Sequence, residues 1–380
     1  MNIGIDIRPL MSSLRTGVGE YTYELLNAIF RIDQTNQYYL FYNSQKDVSG
    51  YLPQWNLKNV HGIRTTWPNK VFNATATLIN KPRLDKLIKI PLDFFFSPNL
   101  NFTPLTHTVR HLLTIHDLSF EFFPEFFTLK QRLWHKITRP KKQCEEAYKI
   151  IVPSLNSKED LINIYQIPEK KIQIIPHGLS SVFNNFTSKQ LTNKKEEIKK
   201  KYFLTDNFIL FLGTIEPRKN ITGLVRAYEQ ISAQLPDHHS LIIAGAPGWK
   251  NKKIYEIAEK SKIKNNIKFI GYIPLEDKPA IYAAASLFVY PSFYEGFGFP
   301  VLEAMSAGTP VVTAQRSALP EISAKAAYLI NPNKTNEIAQ AIKNILSDPN
   351  LRARQIKNGQ ELAAKFSWDQ AAHQWLDLLC

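Results

Sequence analysis

Two glutamates, Glu295 and Glu303, stand on either side of a glycine-containing loop and form the most specific chemical pattern in the chain. The apolar run before them predicts a buried parallel strand, and Pro300 suits the first turn of a helix, where its missing N–H leaves no hydrogen bond unmade. Gly296 and Gly298 allow the main chain to approach a ligand closely. The free N–H groups at the start of the helix would face that ligand with positive charge, so the segment predicts a phosphate site.

The two carboxylates need a different partner, because they would repel a phosphate that touched them. We therefore expect Glu295 and Glu303 to accept hydrogen bonds from hydroxyl groups of the same ligand. Phosphate together with hydroxyl groups suggests a nucleotide sugar, and this is the ligand class that the segment predicts.

A pair of cations follows the first predicted strand of the second half, 208–212. Arg218 and Lys219 come after Gly213 and before a predicted helix. A lysine can hold a diphosphate as a point charge, and an arginine can hold it through two parallel N–H groups. The competing interpretation is a solvated basic loop, but two successive cations ahead of a helix N-terminus favour the diphosphate.

The first half contains weaker patterns at equivalent places. Gly17 and Gly19 follow the first predicted strand and lead into a helix, which suits either a turn or a phosphate contact, and the loop before them is too long for a dinucleotide-binding fingerprint. His116 and Asp117 follow another predicted strand. His116 is either a structural histidine or a group that bonds a sugar hydroxyl or carries a proton.

The length of 380 residues exceeds the usual size of one hydrophobic core and predicts two domains. Predicted strands alternate with helices along the chain, which is typical of α/β proteins with doubly wound parallel sheets. Ligands of such sheets bind beyond the carboxyl ends of the strands, where all these motifs lie. The predicted segments are an N-terminal domain over 1–180, a polar, lysine-rich linker over 181–206 that includes Lys189, a C-terminal domain over 207–365 and a final helix over 366–380.

Several features predict a cytoplasmic protein. The N-terminus lacks a basic segment ahead of a long apolar core, so no secretory signal is expected. No run approaches the roughly 18 apolar residues that span a bilayer. Only two cysteines are present, Cys144 and Cys380, which argues against a disulfide framework and favours a reducing compartment.

The net charge of +14 is unevenly distributed. Residues 64–142 hold 13 Lys and Arg against 5 Asp and Glu, a surplus of 8, whereas the rest of residues 1–180 hold 9 against 10. No nucleic-acid-binding signature accompanies this basic block, so nucleic acid is not an expected partner.

One predicted helix in the basic block is amphipathic. It places Leu129, Leu133, Trp134 and Ile137 on one face with basic residues around them, and an aromatic segment, 120–127, precedes it. Two interpretations remain open: a helix whose apolar face packs in the core, or one that lies in an anionic membrane interface. The second would make the protein peripheral on the inner face of the cell membrane.

Taken together, the motifs resemble the retaining glycosyltransferases of family 4, and specifically their mannosyltransferase-like branch. The resemblance covers nearly the whole chain, and the family has the GT-B fold, in which two Rossmann-like domains face each other across a cleft. The segments that carry the resemblance are Gly17-Val-Gly19, His116-Asp117, Ser154-x-x-Ser157, Pro176-His-Gly178, Glu216-Pro-Arg-Lys-Asn220, Glu295-x7-Glu303, Ser317-Ala-Leu-Pro-Glu321 and Phe366-Ser-Trp-Asp369.

The resemblance implies a role for each site residue. Glu303 would bind the nucleotide ribose, Glu295 the hydroxyl groups of the transferred sugar and Lys219 the diphosphate. The final helix would cross back onto the first domain. The expected catalytic residues are His116, Asp117 and Glu295, and the expected donor-binding residues are Gly17, Gly19, Gly213, Arg218, Lys219, Glu295, Gly296, Phe297, Gly298, Val301, Leu302 and Glu303.

One position departs from the family pattern. Many members carry an arginine directly after the glycine that ends the first strand of the second domain, and this chain has Thr214 there. The second cation for the diphosphate must then be Arg218 or be absent.

The function that the resemblance implies is a retaining hexosyltransferase that needs neither cofactor nor metal ion. Its expected donor is GDP-mannose, with UDP-glucose or dTDP-rhamnose as alternatives, and its expected acceptor is a glycan or lipid-linked saccharide in cell-surface polysaccharide synthesis. The competing classes are a sugar-nucleotide epimerase of the same fold and a non-catalytic membrane or glycan-binding protein.

Overall fold

We describe the protein from a computed structural model that covers residues 1–13, 15–183 and 188–380, without the side chains of residues 188–192. Within these residues the chain forms two compact units. The first consists of Met1–Leu118, Leu129–Gly178 and Ser367–Cys380, and the second consists of Ser119–Thr128 and Leu179–Phe366.

Strands and helices alternate through both units. The strands are β1 (Asn2–Asp6), β2 (Gln37–Asn43), β3 (Val60–Thr65), β4 (Phe94–Ser97), β5 (Arg110–Thr114), β6 (Lys149–Val152), β7 (Ile172–Ile174), β8 (Phe208–Leu212), β9 (Ser240–Ala244), β10 (Ile267–Gly271), β11 (Leu287–Tyr290), β12 (Val311–Ala314) and β13 (Tyr328–Ile330). The helices are α1 (Gly17–Ile32), α2 (Asn69–Ile79), α3 (Leu84–Ile88), α4 (Ser119–Phe122), α5 (Leu129–Thr138), α6 (Pro140–Glu146), α7 (Leu155–Tyr165), α8 (Ser188–Lys201), α9 (Ile221–Ile231), α10 (Lys252–Lys260), α11 (Lys278–Ala284), α12 (Phe299–Ser306), α13 (Leu319–Ser323), α14 (Thr335–Ser347), α15 (Pro349–Ala363) and α16 (Trp368–Leu376).

The first unit is built on a seven-stranded sheet in the order β3-β2-β1-β4-β5-β6-β7, and every neighbouring pair is parallel. Its central strands are apolar because helices cover both faces of a parallel sheet; all four residues of β4 are buried. The edge strand β3 mixes half-buried and exposed residues. The terminal helix α16 belongs to this unit and packs on α1, with the Trp375 ring 5.1 Å from that of Phe96.

The second unit is built on a six-stranded parallel sheet in the order β10-β9-β8-β11-β12-β13. The strands β8, β9, β11 and β12 are buried along their whole length. The strand order reverses at β8, which lies between β9 and β11, so the loops after β8 and β11 lie at the switch point where ligands of such sheets bind. Both sheets are parallel and doubly wound, which confirms the predicted fold class.

Two segments outside the predicted C-terminal domain, 207–365, belong to the second unit. The first is Ser119–Thr128, although the chain on both sides of it belongs to the first unit. The second comprises the described residues of the predicted linker, because α8 buries Ile198 in the second core and Lys201 Nζ donates to Asp277 at 2.6 Å. Residues 184–187 of that linker and the side chain of Lys189 lie outside the described residues.

Candidate functional site

The strongest cluster of charged side chains lies in the second unit, in the loops that follow β8 and β11. These strands are neighbours, with Ile209 opposite Leu287, so their carboxyl ends open at the same edge of the sheet. The loop after β8 forms a short 3-10 turn, Pro217–Lys219, and its next residue, Asn220, caps α9 by accepting a hydrogen bond from the Gly223 N–H at 3.2 Å.

Lys219 and Glu295 form a buried ion pair at this edge. The Lys219 ammonium donates to Glu295 Oε1 at 2.6 Å and to the Tyr290 hydroxyl at 2.7 Å. Ser292 Oγ also donates to Glu295 Oε1, at 2.6 Å. Both charged residues are 7% exposed. An ammonium has three N–H groups, so two of those of Lys219 are occupied by residues that the structure describes.

The pKa shifts follow from this pairing. Burial lowers the pKa of the Lys219 ammonium, and the Arg218 guanidinium adds to this, while the carboxylates of Glu295 and Glu216 oppose it. Burial alone would raise the pKa of the Glu295 carboxyl, but Lys219 and Arg218 outweigh burial and hold that pKa below its usual value. Burial and the nearby Glu295 raise the pKa of the Tyr290 hydroxyl well above its usual value. The lowered pKa keeps the Glu295 carboxyl charged near neutral pH.

Arg218 holds the loop around this pair. Its guanidinium donates to Glu216 Oε1 at 3.0 Å and to the Tyr294 carbonyl at 3.1 Å, and it lies 3.5 Å from Glu295 Oε2. Two cations thus face one carboxylate from opposite oxygens. The cluster therefore holds two cations and two carboxylates, Glu216 and Glu295, at the carboxyl end of the sheet.

Glu303 lies in α12 and is also buried and paired. Its Oε1 accepts from Lys278 Nζ at 2.8 Å, and its Oε2 accepts from the Tyr282 hydroxyl at 2.8 Å. Both partners come from α11, 25 and 21 residues earlier in the chain. Sequence analysis did not identify them, since nothing in the local pattern of α11 marks residues that will face α12.

Two glycines meet a backbone requirement at this edge. Gly245, after β9, has φ +140°, and a Cβ there would lie 1.9 Å from the Gly213 carbonyl oxygen, so the loops after β8 and β9 pass in direct contact. Gly298 caps the N-terminus of α12 with φ +113°, and a Cβ there would lie 2.8 Å from the Leu319 side chain. These conformations favour glycine over any other residue.

The remaining predicted donor residues of α12 and its loop are packed in the interior. Val301 and Leu302 are fully buried, so any contact of theirs with a ligand would go through main-chain N–H groups. Phe297 is buried in a small apolar cluster with Leu179 and Leu302, and Gly296 lies between it and Glu295.

An aromatic layer covers the loop that carries Glu295. The rings of Phe122 and Phe123 lie 5.4 and 5.9 Å from that of Tyr294, and Phe126 stacks on Phe293 at 5.5 Å. The segment Ser119–Thr128, which supplies the three phenylalanines, is held further by the Trp249 indole N–H, which donates to the Phe126 carbonyl at 2.8 Å. The sequence predicted an aromatic segment here but gave no sign that it packs in the second unit.

In the first unit, Gly17 and Gly19 form the first turn of α1. Thr16 caps this helix and accepts from the Gly19 N–H at 3.4 Å. A Cβ at Gly17 would meet nothing within 4 Å, whereas one at Gly19 would lie 3.3 Å from the Pro9 carbonyl oxygen. The first turn of α1 therefore lies after β1, at the carboxyl edge of the first sheet.

His116 and Asp117 lie at the same edge of the first sheet, directly after β5. The His116 ring packs against Tyr21 at 4.7 Å, and its Nε2 bonds the Pro98 carbonyl at 2.9 Å. A carbonyl can only accept, so Nε2 carries the proton and Nδ1 is the acceptor of the neutral ring. Burial lowers the pKa of His116, although the Pro98 carbonyl and the Asp117 carboxylate oppose this shift.

The structure groups the predicted residues by unit. It brings Gly213, Arg218, Lys219, Glu295 and Glu303 to one sheet edge of the second unit, and the two glycines of α1 with His116 to one sheet edge of the first. In the described parts of the chain, no three His, Cys, Asp or Glu side chains are grouped so as to hold a metal ion. Nor does any described helix combine the length and apolar character needed to cross a bilayer.

Sequence comparison assigns both units to known families. Residues 193–362 match the family described as glycosyl transferases group 1, and residues 15–181 match glycosyltransferase family 4. Together the two matches extend over most of the chain and identify a glycosyltransferase. With its two parallel-sheet units, the chain belongs to the GT-B glycosyltransferases of family 4, in their mannosyltransferase-like branch.

Individual relatives agree with this placement. The chain is 29% identical over 371 residues to O-antigen chain mannosyltransferase B of Escherichia coli, and the match covers 95% of each chain. It is also 29% identical over 239 residues to the serotype-specific mannosyltransferase WbdA of Escherichia coli, which covers 62% of this chain but only 29% of that protein. Among solved structures, Anabaena HepE in complex with UDP and glucose is similar in fold, with a TM-score of 0.73, 18% identity and coverage of 100% of this chain and 99% of that one.

Proposed function

We propose that the protein transfers mannose from GDP-mannose to a hydroxyl group of a glycan or lipid-linked saccharide, with retention of the anomeric configuration and without a metal ion. The observation that carries the proposal is the buried pair of Lys219 and Glu295, which sets a cation and a carboxylate 2.6 Å apart at the switch point of a doubly wound sheet. The names of the relatives support mannose as the sugar and surface polysaccharide as the product.

The difficult step in such a transfer is departure of the nucleoside diphosphate. The bond between the anomeric carbon and the diphosphate oxygen breaks, and negative charge grows on that oxygen. Lys219 would stabilise this charge with its third N–H, since its other two are directed to Tyr290 and Glu295. Arg218 would add a second positive charge from the same loop.

Glu295 would orient the sugar. Its Oε1 accepts from Lys219 and Ser292, and we propose that Oε2 accepts from a hydroxyl group of the transferred sugar. This assignment keeps the carboxylate charged, in agreement with the lowered pKa of its carboxyl. In α12, Glu303 would accept from the ribose hydroxyls while Lys278 and Tyr282 hold it in place.

Retention follows if the acceptor attacks from the face that the diphosphate leaves. The acceptor oxygen would form its bond to the anomeric carbon within the ion pair, and its proton would pass to the leaving phosphate oxygen. His116 would accept a hydrogen bond from a substrate hydroxyl through Nδ1, because its neutral ring carries the proton on Nε2. Asp117 would act through the neighbouring His116 ring. Its carboxylate raises the pKa of that ring and so opposes the lowering caused by burial.

A panel of donors tests the proposal. A ligand that binds only the folded protein stabilises it by mass action, by about 2.7 kcal/mol at a concentration 100 times Kd. GDP-mannose should raise the melting temperature more than UDP-glucose or dTDP-rhamnose at equal concentration. A larger shift with UDP-glucose would favour that alternative donor. HepE, which is similar in fold, has been solved in complex with UDP and glucose. Free nucleotide released without an acceptor would indicate an epimerase, and no shift with any donor would indicate a non-catalytic protein.

A further inference from the structure

Glu216 is a buried carboxylate for which the proposed transfer has no use. The residue is 1% exposed. Its Oε1 accepts from Arg218 Nε at 3.0 Å and lies 3.0 Å from Arg218 Nη2. A buried ion pair often adds little net stability, because both charges must leave water to form it. Its value is better sought in what Glu216 does to the position of Arg218.

The main chain at Glu216 is held by a neighbouring loop. Ile215 forms a parallel bridge with Pro247, in the loop after β9, and its carbonyl accepts from the Gly248 N–H at 3.1 Å. A Cβ at Gly248 would lie only 3.3 Å from Glu216 Cβ, so the two loops pack closely. The Glu216 side chain therefore starts from a fixed point of the second unit.

Arg218 links this point to the segment that carries Glu295. The Arg218 carbonyl accepts from the Phe293 N–H at 2.9 Å, and Arg218 Nη1 donates to the Tyr294 carbonyl at 3.1 Å. The next residue is Glu295, whose Oε2 lies 3.5 Å from the same Nη1. Arg218 thus holds the segment 293–295 with both its main chain and its side chain.

The shape of the guanidinium couples these contacts. Nε and Nη2 form one edge of a rigid planar group, and both lie at Glu216. Fixing this edge also fixes the direction of Nη1, which faces Tyr294 and Glu295. A lysine could supply the same charge, but its single ammonium nitrogen has no second edge to direct.

We propose that Glu216 is a positioning residue for sugar transfer, which acts through Arg218 to set the place of the Glu295 carboxylate. The N–H groups of Arg218 then serve the loop, and its charge acts on the diphosphate from a distance. The proposal rests on the proposed function, because the orientation of the transferred sugar by Glu295 is part of that function. It adds a residue that works without touching the substrate.

Hydrogen exchange of the protein alone tests the structural part of the proposal. Glu216→Gln keeps the size of the side chain and an acceptor oxygen but removes the charge. The amide N–H groups of Phe293 and Glu295 should exchange several-fold faster in this variant, because Arg218 no longer fixes their segment. Unchanged exchange would overturn the proposal, whether or not the protein is a transferase.

Glu259→Gln is the matched control. It removes a carboxylate from another ion pair of the second unit, in which Lys264 Nζ lies 2.6 Å from Glu259 Oε1 at the surface. Exchange of the segment 293–295 should match the wild type in this control. Equally fast exchange in both variants would also overturn the proposal, because the site would then not be the cause.

Calorimetric titration with GDP and with GDP-mannose tests the functional part. The ratio of the two Kd values measures what the sugar adds to binding. Glu216→Gln should leave the Kd of GDP nearly unchanged, raise that of GDP-mannose several-fold and lower kcat about tenfold. Equal weakening of both ligands would indicate a merely structural role and overturn the proposal. A wild type that binds both ligands equally would instead contradict the proposed donor, and the exchange data would still decide on positioning.

Substitutions of Arg218 separate positioning from charge. Arg218→Lys keeps the charge but loses the planar group, so it should lower kcat as much as Arg218→Gln does. Adding Glu216→Gln to Arg218→Gln should lower kcat no further, because Glu216 acts through Arg218. Wild-type turnover in Arg218→Lys, or additive losses in the double variant, would overturn the proposal.

Discussion

The Lys219 ammonium lies 2.6 Å from Glu295 Oε1, although 75 residues separate them in the sequence. The two side chains meet because β8 and β11 are neighbours in the sheet, and the loops that follow these strands lie at the same carboxyl edge. Removing one partner of a buried ion pair leaves the other charge less well compensated, which lowers stability. A substitution here must therefore be tested for stability as well as for catalysis.

Replacing Lys219 should slow the chemical step. We expect Lys219→Met to raise the activation barrier on the order of 3 kcal/mol, a loss of about 10²-fold in kcat, because a donor to the leaving diphosphate is removed. It should also lower the free energy of unfolding, by up to about 3 kcal/mol, since Glu295 loses the nearer of its two cations and keeps only Arg218, at 3.5 Å. Adding Glu295→Gln should recover part of the stability but none of the turnover. Near wild-type kcat in the folded single variant would contradict the assignment.

Glu303 should affect donor binding more than turnover. Glu303→Ala is expected to raise the donor KM while kcat changes little, because a ribose contact is present in both the ground state and the transition state. Lys278→Met is the matched control, since it removes the ion pair to Glu303 and leaves the carboxylate in place. An equal rise of KM in both variants would point to a structural role for Glu303.

The aromatic layer should hold the loop of Glu295 in position. Phe123→Ala removes a ring that packs on Tyr294, whose carbonyl accepts from Arg218, so we expect kcat to fall several-fold with a smaller change in KM. Phe203→Ala serves as a control, because this ring in the second unit is 82% exposed. Unchanged kcat in a folded Phe123 variant would show that the layer serves stability alone.

Acid should destabilise the protein through its buried histidines, of which His111 is one. Burial lowers the pKa of His111 to about 4, so the native state binds fewer protons than the unfolded chain below pH about 6.5. The stability that neutral His111 contributes is complete above pH about 6.5. It falls by about 1.4 kcal/mol for each pH unit below that and is fully lost once the pH has fallen through the folded-state pKa of about 4. The carboxyl of Asp33, with a pKa of about 2, acts only at lower pH.

His111→Gln provides the test, because glutamine can still bond Ser97 Oγ, which lies 2.9 Å from His111 Nε2. The melting temperature of the wild type should fall between pH 7 and pH 5, and that of the variant should fall less. The exposed His238→Gln variant is the control and should behave like the wild type. An identical pH dependence in all three proteins would refute the linkage.

Sequence patterns predicted the fold well where strands are wholly buried. Strands such as β8 and β11 consist of continuous apolar residues, and the parallel sheets they predict are present. The edge strand β3 offers no such signal, because its residues are half-buried or exposed and form no continuous apolar run.

At the site, sequence could identify residues that follow strands but not their partners. Lys219 and Glu295 stand directly in loops with glycine or proline signals, whereas Lys278 and Tyr282 lie on a helix and are marked only by packing against Glu303. The same limit applies to Ser119–Thr128, whose aromatic residues could have packed in either unit. Tertiary contacts decide such cases, and local sequence does not encode them.

The release of nucleoside diphosphate tests the central claim most directly. GDP-mannose, UDP-glucose and dTDP-rhamnose are each incubated with the protein and a mannose-terminated, lipid-linked oligosaccharide, and the released nucleotide is measured together with the anomeric configuration of the product. We predict acceptor-dependent release of GDP alone, an α-linked mannose in the product and a loss of about 10²-fold in Lys219→Met. Faster release from another donor, an inverted product or an unaffected Lys219 variant would contradict the account.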